Sequence, residues 1–213
     1  MTIRLKAFLT YLLFLVVASA SASENNLTTY DLPSGVSIAL PDDWQLMNAS
    51  QIRQYERTRG NLLEREGIES PVNADEAPVP IQAMKQTRTS AVSAMITYLP
   101  GEATQDEIVQ WSQNDEIIQK LGELLGNAQV TAMSAAGATD IKVGSAKVVD
   151  AGNKKAVNFF MKLKDSSGRN LTGDKYFIYT KDLTVILTFQ TTEALYDGYA
   201  QEKAAIIASL SVD

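Results

Sequence analysis

The chain predicts an α+β fold, an antiparallel sheet accompanied by separate helical segments. From residue 140 onward it is a succession of strand-like stretches with connections too short for crossover helices, which makes neighbouring strands antiparallel. Two stretches, 104–126 and 191–210, carry apolar residues at helical spacing instead. Earlier segments near 36–40 and 91–98 alternate with period two, as half-buried strands do.

The first 22 residues have a different character. Arg4 and Lys6 precede an apolar run over residues 7–17, and Ala18-Ser19-Ala20 offers small residues where a signal peptidase cuts. This is a secretory signal peptide over residues 1–22, cleaved after Ala20 or Ala22. A spanning helix needs about 20 apolar residues, and this run passes into Ala and Ser well before that. No cysteine stands near the cleavage site, so a lipoprotein is excluded. The expected location is the periplasm or the exterior. Residues 23–29 form a polar lead-in expected to be loosely ordered, and 30–213 a single domain.

Tyr30-Asp31-Leu32-Pro33-Ser34-Gly35 predicts a short strand entering a turn, and 36–40 a strand that Pro41 ends. Asp42-Asp43 turns the chain into Trp44. Asn48 or Ser50 caps a helix carrying Ile52, Tyr55, Leu62 and Leu63. Residues 67–80, with three prolines, read as an exposed loop expected to move. Strands follow at 79–85 and 91–98, the second aligning Val92, Ala94, Ile96 and Tyr98. Thr104-Gln105-Asp106-Glu107 fits a capping box, opening one helix to about residue 126 with Ile108, Trp111, Ile118, Leu121 and Leu125. Residues 132–137 are small and weakly patterned.

The remaining strands are expected at 141–149, 156–163, 175–180 and 184–190. Gly152-Asn153 is a tight-turn candidate and 166–170 a hairpin loop. A last helix starts at Thr191 or Thr192 and buries Leu195, Tyr199, Ile206 and Leu210.

The chain has no cysteine and no histidine. That removes Cys-His and Ser-His-Asp catalysis, the usual zinc sites and a histidine switch. Carboxylate, lysine, tyrosine and hydroxyl chemistry survive. An apolar share of 45% suits a packed domain of about 190 residues that is stable without disulfides. Residues 23–140 carry a net charge of −10 and 141–213 of +2. The acidic balance argues against nonspecific nucleic-acid binding; the asymmetry fits an acidic helical face or simply a solvated one.

Asp42-Asp43 beside Trp44 fit a cation site or, more commonly, a turn with a core tryptophan. Glu66, Glu69, Asp75 and Glu76 lack the alternating order of a calcium loop. Lys154, Lys155, Lys162, Lys164 and Arg169 surround one hairpin, as an anion patch or as lysines guarding a sheet edge. Asn26, Asn48 and Asn170 head glycosylation sequons. Trp111, Tyr176, Tyr179 and Tyr199, with Tyr196, are candidates to line an apolar pocket between sheet and helix. No spacing singles out a catalytic acid and base, a metal site or a cofactor loop.

Gly35-Val36-Ser37-Ile38-Ala39-Leu40-Pro41-Asp42-Asp43-Trp44 resembles the opening of PsbP-like domains, where a glycine leads an alternating strand into Pro-x-x-Trp. Leu187-Thr188-Phe189-Gln190, followed by a helix closing on Ile207-Ala208-Ser209-Leu210, is similar to the way they end. The resemblance covers about residues 30–213 and extends to DcrB-like envelope proteins. It implies an α/β/α sandwich, a central antiparallel sheet with helices on both faces, and binding or assembly roles more often than enzymes. It carries over no functional residue. The expected function is an exported, non-catalytic binding or assembly-accessory protein of the envelope, with another envelope protein as partner. The alternatives are a carboxylate- or lysine-dependent enzyme and a binder of a small apolar ligand.

Overall fold

Strand β1 (Leu27–Leu32) and β2 (Val36–Pro41) are joined by the 3-10 turn Pro33–Gly35, where Ser34 and Gly35 adopt φ of 64° and 69°. The computed structural model describes residues 26–47, 81–87, 90–101 and 103–213. The expected leader with Ala20 and Ala22, the helix expected around Ile52 and Leu63, and the expected loop 67–80 lie outside these residues. β1 begins inside the expected lead-in: Leu27, Thr28 and Thr29 pair with Pro41, Leu40 and Ala39. β2 is almost wholly buried, so its backbone groups need the partner that those residues supply.

The large sheet continues with β3 (Gln45–Leu46), β4 (Ile81–Gln86) and β5 (Ala91–Pro100). Helix α1 (Gln105–Trp111) starts at the expected capping box. The Thr104 side chain accepts from Glu107 N, and Glu107 Oε2 accepts from Thr104 N at 2.7 Å. The single helix expected to residue 126 is instead two. Asn114 stops the first by capping α2 (Asp115–Ala135), its Oδ1 accepting from the backbone of Glu116 and Ile117. α2 runs on through 132–135, whose alanines favour helix more strongly than their weak pattern suggests.

The expected strand 141–149 also divides, into β6 (Thr139–Val143) and β7 (Lys147–Ala151), both paired to β8 (Lys154–Lys164). The break falls at Gly144, whose N donates to Phe160 O at 2.8 Å. β9 (Asn170–Tyr179) and β10 (Leu183–Thr192) complete the meander. β10 runs through Thr192, where a helix start was expected. Two 3-10 turns, Glu193–Leu195 and Asp197–Tyr199, then lead to α3 (Ala200–Ser209) and a short β11 (Ser211–Val212) on β2. Leu195 and Tyr199 are half-buried, while Ile206 and Leu210 are fully buried.

The antiparallel order is β3-β4-β5-β10-β9-β8-β6, with β7 also on β8, and β1-β2-β11 as a second sheet. Strand alternation separates two cores. In the first, Val92, Ala94 and Ile96 of β5 and Val185, Leu187 and Phe189 of β10 pack with β2 and with Ile206 and Leu210. In the second, Val157, Phe159, Met161 and Phe177 pack with Ile108, and with half-buried Trp111, Leu121 and Leu125. The first face is thus shared between α3 and a small sheet, which the expectation of helices alone did not include.

One turn welds the chain's end to the sheet. Gly152 takes φ +58°, and a Cβ there would lie 1.5 Å from Leu210 O. Beside it, Asn153 Oδ1 accepts from Val212 N and its Nδ2 donates to Val212 O, both at 3.1 Å.

Candidate functional site

Where α3 crosses the first face, a recess opens between helix and sheet. Val92 and Phe189 line it from the sheet, Tyr196, Tyr199 and Lys203 from the terminal segment, and Trp44 from the turn after β2. It spans about 290 Å³ with the open solvent at its mouth counted, yet only about 10 Å³ is open to the centre of a water molecule, room for about one water. A free ligand of ordinary size needs about 300–1,000 Å³ of pocket, so the recess suits a single inserted group.

Two ionic clusters flank it, both reaching up to consecutive residues of α3. On one side Lys85 Nζ lies 2.7 Å from Asp43 Oδ2 and 2.8 Å from Glu202 Oε1. Glu202 Oε2 accepts from Trp44 Nε1 at 2.9 Å, and Lys85 stands 5.4 Å above the Tyr199 ring. Burial pulls the Lys85 ammonium down, but hydrogen bonds to Asp43 and Glu202 more than restore it, leaving its pKa above the ordinary lysine value.

On the other side Lys203 Nζ pairs with Asp174 Oδ2, a side chain 8% exposed. Tyr196 Oη donates to the same oxygen at 2.6 Å and accepts from Lys203 at 2.9 Å. Lys203 lies 4.2 Å from the Tyr196 ring centre, and that ring meets Phe160 edge-on at 5.4 Å. Burial, then the Asp174 hydrogen bond, raises the Tyr196 pKa and keeps the phenol protonated as a donor.

The four aromatic residues expected to share a pocket are divided by the sheet. Tyr176 and Tyr179 are three apart on β9, so alternation sends them to opposite faces. Tyr179 meets Trp111 edge-on at 6.4 Å under the helices. Tyr176 meets Phe189 at 6.3 Å on the recess face. Of the four, Tyr199 lines the recess, joined by Tyr196. Asp174, Lys203, Lys85 and Glu202 were not singled out in the sequence. The available signal was Asp174 itself, a carboxylate between Thr172 and Tyr176 on an otherwise inward-facing row.

Asp43 meets Lys85, and Trp44 is 5% exposed, so this pair serves a turn and a core. Four of the five basic residues of the β8 hairpin form ion pairs: Lys155 with Asp150, Lys162 with Glu193, Lys164 with Asp140 and Arg169 with Asp165. These pairs leave little of an open anion patch, and β8 is hydrogen-bonded on both sides, to β6 and β7 and to β9, so its lysines guard no sheet edge. Asn170 pairs with Lys164 at the hairpin end. Glu66, Glu69, Asp75, Glu76 and Asn48 lie outside the described residues. Among the described residues no three His, Cys, Asp or Glu side chains are placed to hold a metal ion, and no helix is long and apolar enough to cross a membrane.

No protein-family model and no curated protein matches the chain. Among solved structures it is similar to a protein of Bacteroides thetaiotaomicron VPI-5482, at 13% identity and a TM-score of 0.47 over 87% of this chain; it spans 48% of that protein, about half its length. It is similar to cyanobacterial PsbP (CyanoP) of Synechocystis sp. PCC 6803, at 11% identity and 0.44, covering 93% of this chain and 99% of that one. It is similar also to the Saccharomyces cerevisiae Ran-binding protein Mog1p, at 11% identity and 0.47, covering 88% and 95%. At such identities the chemistry of the site rests on its own side chains.

Proposed function

We propose that this is an exported, non-catalytic binding or assembly-accessory protein of the cell envelope, and that its recess seats the methyl-sized tip of one apolar side chain of a partner envelope protein. The observation that carries the reading is the recess itself. Its exposed lining is apolar and its free space small, and the flanking charges are spent on one another. Buried anchors in pockets of this kind dominate many protein interfaces. Export rests on the leader, residues 1–22.

A photo-crosslinking side chain at Tyr199, which lines the recess, tests this in the exporting host. A discrete adduct with one envelope protein is expected. Val92→Phe, which fills the recess from its floor, abolishes it while circular dichroism stays native. An adduct that survives Val92→Phe, or none at all, overturns the reading.

A further inference from the structure

Helix α2 carries a second apolar stripe beside the one it turns to the sheet. Its sheet contacts run through Leu121, Gly122, Leu125 and Gly126, the glycines set against Ala146 and Val143. At 3.6 residues per turn, Ile117, Leu121, Leu124, Ala128, Thr131 and Ala135 form another row, spaced alternately four and three residues apart. That is the seam spacing of a coiled coil. Leu124 is 67% exposed and Ile117 39%. Ala128 and Thr131 are exposed, and Leu121 and Ala135 half-buried.

The row is graded along its length. Its large members, Ile117, Leu121 and Leu124, fill the first half, and its small ones, Ala128, Thr131 and Ala135, the second. Charge is graded the same way. Asp115, Glu116, Lys120 and Glu123 all precede Leu124, and residues 124–135 carry no charge.

We propose that α2 is the contact of a homodimer, two copies of this chain packed antiparallel about a two-fold axis between Leu124 and Ala128. Leu124 then faces Ala128 of the second copy, Leu121 faces Thr131, and Ile117 faces Ala135. Large side chains fill the space above small ones, which is how packed interfaces reach interior density. Each acidic half lies on a neutral half, whereas a parallel pair would set Glu116 and Glu123 against their own copies. Antiparallel helices also oppose their dipoles favourably. A row complementary to itself under two-fold rotation is what an isologous contact requires. One helix stripe is a small interface, so the dimer is weak and reversible.

Sedimentation velocity on the protein as exported, whichever of Ala20 and Ala22 ends the leader, tests this up to about 1 mM, the weak end of measurable affinity. A concentration-dependent monomer–dimer equilibrium is expected. Leu124→Glu abolishes it. Ala128→Leu weakens it at least about tenfold although it adds apolar surface, and Leu124→Ala combined with Ala128→Leu restores it. All three variants change exposed positions, and circular dichroism checks their fold. A chain monomeric at about 1 mM overturns the proposal, as does association that survives Leu124→Glu. If Ala128→Leu strengthens association, the stripe is merely adhesive and the two-fold arrangement fails.

Discussion

On one face of the large sheet the chain closes over itself; on the other, a 21-residue helix lies against the sheet with Gly126 as its one fully buried residue. The closed face is held by residues far apart in sequence. Ile206 and Leu210 pack on β2 and β10, Glu202 and Lys203 reach Trp44, Lys85 and Asp174, and Asn153 ties down Val212. The helical face uses Gly122 and Gly126 for close approach beside Leu121 and Leu125, and leaves Ile117, Leu124 and Val130 of α2 pointing sideways and outward. A face completed from within has little to offer a partner except a gap such as the recess. A face packed through glycines retains apolar surface for contact outside the chain.

Matched substitutions on the two faces break or sharpen this contrast. The largest effect belongs to Gly152→Ala, since its Cβ would enter the Leu210 carbonyl and its φ is left-handed. We expect a loss of about 4 kcal/mol in urea unfolding, or failure to fold. Its counterpart on the helical face, Gly122→Ala, places a Cβ 2.7 Å from Ala146 Cβ. There α2 can shift outward and gains about 1 kcal/mol of helix propensity, so the net cost stays near 1 kcal/mol. Equal costs would show both faces to be equally constrained.

Ile206→Ala should cost about 3 kcal/mol, as buried large-to-small changes do, against about 0.5 kcal/mol or less for Leu124→Ala in dilute protein. Lys203→Ala leaves the Asp174 carboxylate buried without its cation, at about 2 kcal/mol. Lys120→Ala, which breaks the exposed pair with Glu116, should cost about 0.4 kcal/mol. Thermal and urea unfolding distinguish these pairs, and a Lys203→Ala variant as stable as Lys120→Ala would remove the ionic clasp from the account.

One substitution should instead bring a gain. The Tyr98 hydroxyl is buried in the first core with no hydrogen-bond partner, and burial pushes its pKa up to about 12. The unfolded chain therefore loses this proton first, from pH near 10.0, so stability is intact below that value and falls as pH rises toward about 12. Tyr98→Phe should add about 1 kcal/mol at neutral pH and make the alkaline decline shallower. Urea titrations at neutral and alkaline pH read both, and a destabilised variant would mean that the hydroxyl has a partner.

Much of the secondary structure was legible because it is local. The capping box at Thr104 and Glu107, the inward row Val92, Ala94, Ile96 and Tyr98, and the Gly152-Asn153 turn each depend on a few adjacent residues. The errors arose where a competing local signal was weak or a partner distant. Asn114 splits a helix that apolar spacing alone would join. Leu27 becomes a strand because β2 pairs with it. Residues 193–199 wind into 3-10 turns because β10 continues to Thr192 beside β9. The site was less legible than the fold. Tyr176 and Tyr179 look like neighbours in a list of aromatics, yet a strand's two-residue period puts them on opposite sides.

The sequence by itself determined the leader-like first 22 residues, the antiparallel α+β character, and the absence of thiol and imidazole chemistry, because composition and short-range periodicity are properties of the chain. Only the tertiary structure decided that Asp174 meets Lys203, that Lys85 meets Glu202, and that a small sheet shares a face with α3. Those pairings span 29 and 117 residues in the Asp174–Lys203 and Lys85–Glu202 bonds. Contacts over such separations are set by how sheets and helices stack, which no local window of residues encodes.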